Sequence, residues 1–119
     1  MNHLKLINEA DGLSSLGLHQ DAWAVLNTLP LLIQLRPEAQ RVRLVICTGL
    51  EKWEIGREIA KHASPDSPPA FKEAAGRFYL AHGKVLCAAG DVEGARLAVT
   101  ALAWVWPEGR QWVLHSKGI

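Results

Sequence analysis

The sequence predicts an all-α protein built as a stack of antiparallel helix pairs, and three observations carry that expectation. Between breakers, the apolar residues recur with the helical period, and no segment sustains the strict alternation of a half-buried strand. Glycines and prolines stand where helices should stop and start, at Gly17, Pro30, Pro37, Gly90 and Pro107. Small residues set inside the second helix of each pair, Ala22, Gly56 and Ala95, fall in register at intervals of 34 and 39 residues. The second interval exceeds the first by five residues, and a proline-rich stretch between them gives the insertion a place.

Taken in order, the first helix is expected from about Leu4 to Leu16, with Leu6, Ala10 and Leu13 on one face and Gly17 stopping it in the left-handed conformation. A second starts near Asp21, buries Ala22, Val25, Leu26 and Leu29, and ends before Pro30, where an interior hydrogen bond would be lost. Pro37 suits the first turn of a third helix reaching about Thr48, and a fourth covers Glu51 to Ala63. The stretch from Ser64 to Pro69 is a linker, because its prolines exclude a continuous helix. A fifth helix runs from about Ala70 to Ala89 and closes at Gly90. Asp91 then caps a sixth, which buries Ala95, Ala98, Val99, Leu102 and Val105. Glu108 to Ile119 is expected to add a short capping helix through Trp112 and Val113.

Composition limits the function classes. The chain has 119 residues, 49% hydrophobic and 21% charged, which fits one soluble globular domain, 1–119. A chain this long should bury roughly 65% of the surface its unfolded form exposes, enough to fold without a disulfide framework or a structural metal. The net charge of +1, with no basic run, argues against nucleic acid as a partner. Met1 to Glu9 lacks the apolar core of a secretory signal, and the longest apolar run, Leu29 to Leu35, is interrupted by Pro30 and Gln34. A cytoplasmic protein that does not enter membranes is therefore expected. Cys47 and Cys87 sit 40 residues apart in apolar helical stretches and read as reduced thiols.

A 34-residue period built from two antiparallel helices resembles the tetratricopeptide repeat. In the third unit the resemblance rests on Tyr79, Gly83, Leu86, Gly90, Ala95, Val99, Leu102 and Pro107. In the first it rests on Leu6, Ala10, Leu13, Gly17, Ala22, Leu26 and Leu29. The middle unit matches through Trp53 to Ala60, but Gln40 and Arg43 stand where apolar residues belong, which predicts a shift in register there. The resemblance implies a right-handed α-solenoid with repeats at about 3–36, 37–69 and 70–107 and a C-terminal cap at 108–119. It also implies a non-catalytic module that binds a peptide or a partner's helix. The Asn-rich pattern by which some relatives clamp a terminal carboxylate is missing, so chaperone-tail recognition is not carried over.

In such a stack the first helices line a concave groove. Its walls are expected to be Leu4, Ile7, Asp11 and Ser14, then Glu38, Arg41, Val45 and Thr48, and finally Arg77, Leu80, Lys84 and Cys87. Convergence of Arg41, Arg77 and Lys84 over Val45 and Leu80 would favour an acidic or carboxylate-bearing partner. No cofactor is implied. The five histidines show no i, i+3 or i, i+4 pairing, so no metal site is expected. His82 and Cys87 lie five apart on one helix and point away from each other, which leaves a thiol enzyme using Cys87 or Cys47 as the least supported reading. Leu97, Ala101 and Trp104 form a further apolar stripe, to be covered by the tail around Trp112 or by a second copy of the chain. A homo-oligomeric scaffold, minimally a homodimer, is thus the second reading.

Overall fold

Helix boundaries in the computed structural model, which describes residues 3–109, follow the breakers closely. The elements are α1 (His3–Ser15), α2 (His19–Asn27), α3 (Leu31–Gln34), α4 (Pro37–Leu50), α5 (Trp53–Ala60), α6 (Pro69–Ala88) and α7 (Val92–Val105), followed by a short 3₁₀ turn at Pro107–Gly109. No strand occurs among the described residues, and none of their helices is long and apolar enough to cross a membrane. The expected capping segment beyond residue 109, with Trp112 and Val113, lies outside the described residues.

Gly17 and Gly90 end α1 and α6 with positive φ of 82° and 87°. In each case the next N–H reaches back five residues, Leu18 to the Leu13 carbonyl and Asp91 to the Leu86 carbonyl, which satisfies the last turn. Asp91 also caps α7, its carboxylate accepting from the Gly94 N–H at 2.9 Å. The end of α4 differs from expectation. Helix continues through Thr48 and Gly49 to Leu50, and Glu51 takes the left-handed position with φ 58° while the Lys52 N–H bonds the Cys47 carbonyl. Gly49 serves another purpose, because a Cβ there would overlap the His19 ring.

Short connections fold α1 on α2, α4 on α5 and α6 on α7, while α1 also packs on α4 and α4 on α6. The elongated outline, 45 × 28 × 21 Å, follows from that side-by-side order. Helix α4 stands at the centre and serves two apolar clusters. Ala39, Val42 and Ile46 join Ile7, Ala10, Ala22 and Leu26 in one. Leu44 and Cys47 join Ile59, Phe71, Phe78 and Trp106 in the other. Around Gln40 and Arg43 the buried positions of α4 are filled by their neighbours Ala39, Val42 and Leu44. Both polar side chains stand half-buried between the clusters, Arg43 with its guanidinium 5.3 Å from the centre of the Trp23 ring.

The aligned small residues are all buried, and a Cβ on Gly56 would overlap the ring of Phe78, itself fully buried. Only glycine lets α5 approach α6 that closely. Helix α3 was not expected. It is a single turn between Pro30 and Pro37, with Ile33 against the first cluster and Leu31, Leu32 and Leu35 exposed.

Candidate functional site

Helix α4 packs against α1 on one side and α6 on the other, and most of the residues expected to line a groove lie on these three helices. Near their N-terminal ends a cleft of about 270 Å³ brings together Leu4, Ile7, Glu38, Arg41, Pro68 and Phe71. A second cleft, about 250 Å³, opens further along α4 and α6 against the start of α2 and is lined by His19, Val45, Thr48, Gly49, Ala74 and Arg77. Leu80 is half-buried on α6 beyond it, and Lys84, about 10 Å along the axis from Arg77 at the helical rise, is exposed. Ser14 faces inward, and Ile7 reaches the first cleft only as part of its buried floor. Ile7 belongs to the first cluster, and the buried Ser14 hydroxyl pairs with His19 Nδ1 at 3.0 Å, fixing the turn between α1 and α2. The Thr48 hydroxyl donates to the Leu44 carbonyl at 2.9 Å, a local helix bond.

Two of the three expected cations, Arg41 and Arg77, are already engaged. Arg41 donates to Asp11 at 2.7 Å across α1 and α4. Arg77 lies 3.6 Å from Glu73 one turn back on α6, and its guanidinium sits 5.6 Å from the centre of the Trp106 ring. Arg41 lines one cleft and Arg77 the other, so the three cations are spread along the groove rather than gathered at one point.

Cys47 is buried in the second cluster, and burial pushes its thiol up to about 11 against the lowering effect of Arg43 and Lys52. At neutral pH it is overwhelmingly the protonated, weakly nucleophilic form. Cys87 is half-buried on α6. No group of three or more potential metal ligands comes together among the described residues.

The two tryptophans at the end of α7 separate as the spacing requires. Trp106 is 8% exposed and packs into the second cluster over Gly76, where a Cβ would strike its ring. Trp104 is 58% exposed, with Leu97 also exposed and Ala101 half-buried along the same helix. Trp112, proposed to complete that surface, lies outside the described residues.

Two further clefts escape the sequence reading. One, about 400 Å³, lies between α4, α5 and the linker, with Leu35, Gln40, Ile59, His62 and Phe71 in its walls. The other, about 360 Å³, is lined by Arg57 of α5, Tyr79, His82 and Leu86 of α6, and Asp91 and Leu97 at and within α7. Residues drawn from three elements leave no local spacing to notice; the one signal was a histidine set on the apolar face of α6. Compared with known proteins, the chain matches no family model, no curated protein and no solved structure.

Proposed function

We propose that the chain is a non-catalytic protein-interaction module, a right-handed solenoid of three tetratricopeptide-like helix pairs that holds a partner's peptide or helix along α1, α4 and α6. What supports this reading is the packing of α4 between α1 and α6, with one cleft among the three and a second further along α4 and α6. Val45 and Leu80 offer apolar contact there, while Arg41 and Arg77 offer charge. An acidic partner residue would exchange with Asp11 or Glu73 for its arginine, so the preference for acidic ligands is expected to be modest and salt-sensitive. The high pKa of the Cys47 thiol supports the non-catalytic half of the proposal. A peptide array probed with the full chain tests it: enrichment of acidic sequences that weakens with Arg77→Ala supports the reading, and binding indifferent to both sequence and variant opposes it.

A second reading is favoured by the exposure of Trp104 and Leu97. Apolar surface at the end of a stack of helix pairs is ordinarily covered by another unit, so this end would join two copies of the chain. Light scattering over a concentration series, repeated on Trp104→Ser, distinguishes a self-associating scaffold from a monomeric module.

A further inference from the structure

The cleft between α5, α6 and α7 collects polar groups that the fold itself does not use. His82 is 6% exposed, yet neither imidazole nitrogen has a hydrogen-bond partner among the described residues. Its ring is held flat on Trp53, with centroids 4.7 Å apart and planes 7° from parallel, so its orientation is fixed. Tyr79 is half-buried beside it, edge-on to Phe78 at 5.7 Å, and its hydroxyl is likewise unpaired among the described residues. Arg57, exposed on α5, has no carboxylate within ion-pair distance among those residues. The polar atoms of all three open to solvent through the cleft, and a cavity that brings an imidazole, a phenol and an unmatched guanidinium together beside apolar side chains has the make-up of a ligand site.

We infer that this cleft binds a small carboxylate carrying an apolar body. The guanidinium of Arg57 would take the carboxylate, the Tyr79 hydroxyl and a His82 N–H would donate to it, and Leu86, Leu97 and Ala98 would cover the apolar portion. One cation and two neutral donors match a single negative charge. Asp91 stands on the same rim, committed to capping α7, and its carboxylate disfavours a doubly charged phosphate. At about 360 Å³ the cavity falls at the small end of ordinary ligand sites. Burial and Arg57 both hold His82 below its usual pKa, so it is present as the neutral imidazole, able to donate from one nitrogen. The site is formed by α5, α6 and α7, apart from the clefts along α1, α4 and α6, and does not depend on the proposed function.

Calorimetry with the full chain tests the inference, using 4-methylpentanoate, N-acetyl-leucine and the amides of both at up to about 10 mM, a range suited to weak ligands. The acids are expected to bind and the amides not to. Arg57→Gln should weaken binding by roughly 10- to 100-fold, and Tyr79→Phe by roughly two- to tenfold, as loss of a charge-assisted and a neutral hydrogen bond respectively. Binding should also shift the His82 ring resonances, which a merely structural histidine would not show. Tighter binding of N-acetyl-leucine than of 4-methylpentanoate assigns the site to a peptide C-terminus, and the reverse order to a free acid. Equal binding of acids and amides, unchanged binding to a folded Arg57→Gln variant, or no saturable response at His82 overturns the inference.

Discussion

His82 and Trp53 stack face to face across α5 and α6, with ring centroids 4.7 Å apart. The contact joins the start of one pair's second helix to the next pair's first helix, and it buries an imidazole that the protein holds neutral. Burial and the Arg57 charge both lower its pKa from the ordinary 6.5. Below that pH the unfolded chain takes up a proton that the folded chain resists, so the unfolded state is favoured. Stability is therefore expected to fall as the pH drops below about 6.5. Urea midpoints at several pH values, compared with those of His82→Phe, check this. The variant keeps an aromatic ring on Trp53 and should show a shallower acid loss; an identical pH dependence would mean that His82 is not responsible.

Backbone conformation yields a prediction of opposite sign at two helix ends. Glu51 occupies the left-handed region with φ 58°, and Gly90 does so with φ 87°. A non-glycine residue there carries about 1–2 kcal/mol of steric cost. Glu51→Gly should stabilise the protein by roughly 0.5–1 kcal/mol, the gain being reduced by the greater freedom of glycine in the unfolded chain. Gly90→Ala should destabilise it by about 1 kcal/mol or more. Thermal or urea unfolding of the two variants measures both.

The Asp11–Arg41 pair is short but stands at the surface, with its side chains 36% and 30% exposed. A double-mutant cycle through Asp11→Asn and Arg41→Gln should give a coupling of only about 0.2–1 kcal/mol. That coupling should shrink as salt is added. A coupling well above this range would show that the pair locks α1 to α4 and is not available for exchange with a ligand.

The two thiols should behave differently. At about pH 7.5 an aromatic disulfide reagent is expected to modify Cys87 in the folded protein and Cys47 only on unfolding, since Cys47 is buried and its thiol raised to about 11. Rapid modification of Cys47 in the folded state would contradict its place in the core and reopen a catalytic reading.

Much of the helical organisation was legible because it depends on local rules. Gly17, Gly90 and Asp91 act within a few residues of themselves, and Ala22, Gly56 and Ala95 reveal the pairing through a repeated interval. The end of α4 was placed two residues early, because the left-handed stop is taken by Glu51, a residue with no glycine signature, while Gly49 makes room for His19 from another helix. Helix α3 was missed because four residues between two prolines are too few to display a period. Gln40 and Arg43 marked the place where α4 must face two clusters at once, which a one-sided helical pattern does not describe. Among the groove residues, spacing located Val45, Thr48 and Arg77 on one cleft, but the pairing of Arg41 with Asp11 and the stacking of Arg77 on Trp106 depend on contacts 30 and 29 positions apart. The cleft around His82 is a product of three elements, and its one sequence signal was that histidine on the apolar face of α6.

The central claim, that a partner lies along α1, α4 and α6, is tested most directly by measuring the affinity of one array-selected peptide for three forms of the full chain. These are the wild type, Leu80→Glu on the groove side of α6, and Leu97→Glu on the exposed side of α7. The account predicts that Leu80→Glu weakens binding at least tenfold, about 1.4 kcal/mol, while Leu97→Glu leaves it unchanged. Full affinity for Leu80→Glu, with binding lost in Leu97→Glu, would contradict the groove and move the interaction surface to the end of the stack.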